Sequence, residues 1–183
     1  MKTRDFDPLK LDVAAFAKSD DALLEGTWPL AELERLVSST VVPANEATPV
    51  TWRARGELRA VRGGQPQIWL HTEASTRVML ECQRCLMPVG AEVMAQRSFL
   101  FVHGEETAAE LDSDSEDDVL ALTRSLDVRE LIEDELLLAL PIVPRHETCP
   151  QPLLDGEPEP LSEDGTPHPF AALAALKRGG LPN

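Results

Sequence analysis

Apolar and polar positions along this chain follow two rhythms, a period of two through the first hundred residues or so and a helical period in the last third. Between 50 and 59, Val50, Trp52, Ala54, Gly56 and Leu58 fall on one face, and Thr51, Arg53, Arg55, Glu57 and Arg59 on the other. This alternation predicts an antiparallel strand with one wet face. Gly63-Gly64 predicts a turn. A partner strand follows over 67–73, with Ile68 and Leu70 in phase, and another over 77–82, with Val78, Leu80 and Cys82 in phase. A longer strand is predicted over 89–102, where Val89, Ala91, Val93, Ala95, Phe99 and Phe101 share a face. Arg97 interrupts that face, which points to a bulge. Upstream, 23–28 reads as a strand, and Pro29 opens a helix with Leu30, Leu33, Leu36 and Val37 at helical spacing. Residues 1–20 read as a short arm.

The helical rhythm starts at Asp127, which with Glu130 three residues later has the pattern of a capping box. Val128, Leu131, Ile132, Glu135, Leu136 and Ala139 then lie on one face. Leu137, Leu138 and Leu140 make the last turn apolar all round, which predicts deep packing. Pro141 and Pro144 stop the helix. Near the end of the chain, Phe170, Leu173 and Leu176 predict a short helix over 169–178. Strands first and a helix afterwards predict an α+β fold, an antiparallel sheet that can curl toward a barrel, with a packed C-terminal helix. Residues 1–149 are expected to form a single domain, and 150–183 an acidic, Pro-rich tail ending in the short helix.

Composition changes this picture in two places. Five Phe, three Trp and no Tyr predict a mainly aliphatic core. The net charge of -15 is uneven: residues 104–118 hold eight acids and 150–165 five more, neither with a Lys or Arg, so the remainder is close to neutral. The first run is expected to be a mobile acidic loop. Such runs attract basic protein surfaces and repel phosphate, or serve as solvated linkers. The polar start of the chain and the absence of a run of about 20 apolar residues argue against a signal peptide and a membrane helix. Three cysteines without an export signal predict a reducing, cytoplasmic setting.

All three cysteines sit in two short motifs. Cys82 and Cys85 have the spacing of a zinc half-site, since two thiolates two residues apart can chelate one tetrahedral ion. His146 and Cys149 supply a candidate second half-site, giving Cys₃His. Two other readings stand beside zinc, namely reduced cysteines packed as small hydrophobes and a redox thiol. The redox reading is weakened by Pro88, which suits a turn better than the helix N-terminus that activates such thiols. Arg53, Arg55 and Arg59 form a basic stripe, with Arg84 nearby, able to contact nucleic acid or a partner. A solvated face with cross-strand ion pairs is the plainer reading. Trp69, out of phase with Ile68 and Leu70, is the better candidate for an exposed aromatic. No catalytic constellation emerges: Glu130, Glu133, Asp134 and Glu135 read as a solvated helix face, and His71, His103 and His168 have no evident partners.

Leu80-Glu81-Cys82-Gln83-Arg84-Cys85, followed by Glu133-Asp134-Glu135-Leu136-Leu137-Leu138-Ala139-Leu140-Pro141-Ile142-Val143-Pro144 and His146, resembles the YceD family. These are bacterial large ribosomal RNA subunit accumulation proteins, also found in plastids. The ending from Pro169 to Lys177 is similar too. The resemblance implies a non-enzymatic role in the synthesis, processing or stability of 23S rRNA during large-subunit assembly. It implies a large-subunit precursor as partner (23S rRNA, a basic ribosomal protein, or both), with no membrane and no small-molecule substrate. No catalytic residues carry over, and the family's cysteine positions map to Cys82, Cys85 and Cys149. The alternatives are a zinc-stapled interaction module and a thiol- or metal-dependent enzyme, both unrelated to ribosomes.

Overall fold

Among the described residues, five strands form one open sheet in the order β1–β2–β3–β4–β5: Leu23–Trp28, Val50–Arg59, Gln67–Glu81, Pro88–Val102 and Asp118–Ala121. The fold is that of a computed structural model, which describes residues 6–41 and 49–150. The acid-rich stretch beyond 150 and the helix expected over 169–178 lie outside the described residues.

The first four strands pair antiparallel. The two partner strands expected over 67–73 and 77–82 are one strand, β3. Its inward residues run Leu70, Thr72, Ala74, Thr76, Val78 and Leu80, all buried. Two threonines and an alanine in the middle hide the continuity from a hydrophobic count. No bulge forms at Arg97, because the register between β3 and β4 holds from Ile68↔Phe101 to Glu81↔Pro88. Arg97 keeps its place on the inner face, and its Nε bonds to Glu135 Oε2 at 3.1 Å and approaches Asp118 Oδ2 at 3.4 Å.

The expected mobile loop over 104–118 is structured. It holds a helix, α3 (Glu105–Asp114), and the start of β5. β5 runs parallel to β4, so the sheet is mixed at this edge and does not close into a barrel. A parallel neighbour requires a crossover, and α3 supplies it.

Three further helices cover the inner face: α1 (Val13–Ala17), α2 (Glu34–Ser38) and α4 (Val128–Leu138), with a 3₁₀ turn at Leu30–Glu32. Phe16, Leu30, Leu33, Leu36, Val128, Ile132 and Leu136 pack with Val50, Trp52, Leu70, Val78, Val93, Phe99 and Phe101 in one core. Each such side chain contributes about 2 kcal/mol of burial. The segment expected to be an arm is therefore part of the core. Leu11 and Val13 are fully buried, Asp12 caps α1 through Ala15 N at 2.9 Å, and Leu11 exchanges two backbone hydrogen bonds with Leu126. Gly56 makes room for α1: a Cβ there would stand 2.9 Å from Ala17 Cα.

Asp127 caps α4, accepting from Arg129 N and Glu130 N at 2.9 and 3.1 Å. The last turn is packed only in part: Leu137 and Leu140 rest against the core, whereas Leu138 is 74% exposed. The helix expected from Pro29 breaks at Leu33, and α2 starts anew without a side-chain cap of its own. Its cap comes from α4. Glu133, expected on a solvated face, is buried and accepts from Arg35 N at 2.7 Å and Leu36 N at 3.1 Å. Arg35 also pairs with Glu133 Oε2 at 3.0 Å and with Asp134.

Candidate metal centre

β3 ends at Glu81, and the next residues turn back on themselves before β4. Leu86 N donates to Cys82 O at 2.8 Å and Cys82 N to Met87 O at 3.0 Å. Leu86 adopts φ 60° to complete this hook. Residues 141–149, freed from α4 by Pro141, run against the hook and are held there by Gln83 N donating to Pro144 O at 2.9 Å. The two distant cysteine motifs meet in this way.

The donor atoms of Cys82, Cys85, His146 and Cys149 lie within 4.8 Å of one another. Cys82 Sγ is 4.0 Å from Cys149 Sγ, and Cys85 Sγ is 3.4 Å from His146 Nδ1. Zinc bond lengths imply tetrahedron edges of about 3.8 Å between sulfurs and about 3.6 Å between sulfur and nitrogen. Two edges of the cluster are thus close to those of a tetrahedral Cys₃His site, and all lie within 4.8 Å. All three cysteines are free thiols. His146 Nε2 lies 3.1 Å from Pro88 O. A carbonyl only accepts, so Nε2 carries the proton and the Nδ1 lone pair faces the thiols. This arrangement can hold a metal ion.

The electrostatics set the two hook thiols apart. Burial pushes the Cys82 thiol up, but N–H donors from His146, Arg84 and Cys85 outweigh it and bring it down to about 5. Cys85 is pushed up, by burial first and then by Cys149 and Cys82. One thiolate forms readily, and crowding then resists further charge, a cost that a bound cation would relieve.

Arg84 does not join the arginine stripe. Its Nε donates to Cys149 Sγ at 3.0 Å, and its Nη2 to His146 O and Glu147 O at 3.0 and 3.3 Å. Arg53, Arg55 and Arg59 share the outer face of the sheet. Arg53 pairs with Glu25 at 3.3 Å and Glu73 at 4.0 Å, and Arg59 with Glu57 at 3.1 Å. Arg55 lies in register between Leu23 and His71. Arg53 thus pairs across strands to both sides, whereas Arg59 pairs with a carboxylate of its own strand.

Trp69 is buried, at 4% exposure, rather than exposed. The register sets it in a row with Leu100 and Val119 on the outer face, and Arg59 stacks over its ring at 4.4 Å. His71, expected without partners, bridges Ser98 Oγ and Glu57 Oε2, each at 2.8 Å. These contacts depend on cross-strand register, which single-chain spacing does not display. Glu133 was missed for a related reason: its partners lie on an element whose helix break the sequence did not reveal.

An open α+β sheet with a thiol-rich hook and no helix long and apolar enough to cross a membrane among the described residues defines the class of protein. The family model described as "Large ribosomal RNA subunit accumulation protein YceD" matches residues 70–177. The Haemophilus influenzae protein bearing that name is 31% identical over 160 residues, covering 84% of this chain and 86% of the relative. The chain belongs to the YceD family. No solved structure matches it.

Proposed function

We propose that this protein is a non-enzymatic ribosome-biogenesis factor, acting in the cytoplasm to support the synthesis, processing or stability of 23S rRNA in large-subunit assembly. Membership of a family named for large ribosomal RNA subunit accumulation carries this reading.

Its direct partner, on this reading, is a basic ribosomal protein. The support is α3, whose five acids (Glu105, Glu106, Glu110, Asp112 and Asp114) meet no base within the helix. Asp112 accepts from Val119 N at 2.9 Å, but Asp114 stands at the helix C-terminus, where the macrodipole disfavours negative charge. A cationic partner relieves that cost and is drawn by the remaining acids. Naked 23S rRNA is supported less well, because Arg53 and Arg59 are already neutralised by carboxylates. In the same proposal Cys82, Cys85, His146 and Cys149 hold a structural zinc that fastens residues 141–149 to the hook.

Capture of the tagged full chain from cells, with and without RNase and at two salt concentrations, tests the proposal. Recovery of 23S precursors or large-subunit proteins upholds the assembly role. Recovery of one basic ribosomal protein that resists RNase, weakens with salt and is lost when Glu105, Glu106 and Glu110 become Gln upholds the finer reading. Recovery of neither class overturns the assembly role.

A further inference from the structure

We infer that Arg84 is a positioning residue of the metal centre, holding the His146–Cys149 half-site against the hook and neutralising the charge of the loaded site. The inference rests on the zinc reading above. Arg84 stands between the two hook cysteines in sequence, yet its three hydrogen bonds all reach the other half-site: Cys149 Sγ, His146 O and Glu147 O. One guanidinium thus spans the gap the metal must also span. Its fork grips one thiol and two carbonyls together, a geometry that a lysine point charge does not reproduce.

The charge argument points the same way. Three thiolates, one neutral imidazole and Zn²⁺ sum to a single negative charge, which one guanidinium cancels. Its bond to sulfur also draws electron density from Cys149 specifically, and outer-sphere partners of this kind tune metal affinity. Arg84 is exposed, so its replacement removes no core packing.

Cobalt(II) and zinc titrations of the full chain provide the test, with chelator competition giving affinity and absorption giving the ligand set. Arg84→Ala should weaken binding roughly 10–100-fold, with the d–d bands in place because all four ligands remain. The sulfur-to-cobalt charge-transfer band should shift, because one sulfur loses its donor. Arg84→Lys should recover only part of the affinity. In a Cys149→Ser background, removal of Arg84 should cost much less than in the parent. Unchanged affinity and an unshifted charge-transfer band in Arg84→Ala, with a parent that binds one ion, would overturn the inference and leave the zinc reading standing. A parent chain that binds no stoichiometric zinc or cobalt would overturn both.

Discussion

Glu133 and the Cys82–Cys85–His146–Cys149 cluster fasten successive parts of the chain to what precedes them, and they do so differently. At Glu133 the polypeptide supplies both sides: one buried carboxylate meets the Arg35 and Leu36 N–H groups and the Arg35 guanidinium. At the cysteines it supplies donors of one kind, four electron-pair donors around a common centre, with Arg84 bonding from outside. The first tie is complete on folding; the second has donors that could hold a cation. Burial accompanies the first, since Ile132 and Leu136 on the same helix are in the core. The second sits at the rim, where Ile142 is 97% exposed. One tie supports the fold, and the other positions a segment on it.

The largest effect should come from breaking the first tie. Glu133→Ala leaves two helix-start N–H groups without their acceptor and should cost roughly 3 kcal/mol in equilibrium denaturation. A loss under about 1 kcal/mol would mean that Glu133 does not carry the fold. Arg35→Lys should cost less, because the carboxylate still caps the backbone of α2. Cys149→Ser should instead leave a cooperative unfolding transition, while amide exchange over residues 141–149 speeds up by about tenfold or more. Collapse of the whole sheet in Cys149→Ser would show that the second tie also carries the fold.

Proton release sharpens the contrast further. With Cys82 brought down to about 5, that thiol is already ionised at neutral pH. Zinc binding near pH 7, followed by calorimetry in buffers of different ionisation enthalpy, should therefore release fewer protons than there are thiols. Release of a full three would contradict that assignment. The smallest effect belongs to the outer face, remote from both ties. Arg59, then His71, hold the Glu57 carboxyl below its ordinary value. A depressed carboxyl adds stability above its unfolded value that is lost as pH falls through the folded one. Glu57→Gln should remove a small, salt-screened part of the acid dependence of unfolding, and a parallel pH profile in parent and variant would contradict this.

Legibility in the sequence followed the range of the interaction. Alternation over β2 and the capped start of α4 are local patterns, and both were readable. That Cys82, Cys85, His146 and Cys149 meet was readable from their ligand types and spacing, with packed thiols and a redox thiol standing beside zinc. Polar inward residues hid the length of β3: Thr72 and Thr76 look like surface yet are buried. Charge hid α3, since an acidic run resembles a linker unless the crossover it must form is known. Leu11, Val13 and Phe16 were passed over because five helical residues are too few to show a period. Glu133 and Trp69 depended on distant partners, a helix cap in one case and a three-strand row in the other.

The bonds between Leu11 and Leu126 have a consequence for the chain as it is synthesised. The segment that opens the domain waits for a partner made more than a hundred residues later. Four strands leave the ribosome with only α1, the 3₁₀ turn and α2 to cover their apolar side, and α4 arrives only after α3 and β5. At ~5–20 residues per second, that interval lasts on the order of seconds. A chain stopped before Asp127 should therefore aggregate rather than persist as a smaller domain, because without Val128, Ile132 and Leu136 of α4 the core around Phe99, Phe101 and Val78 is incomplete.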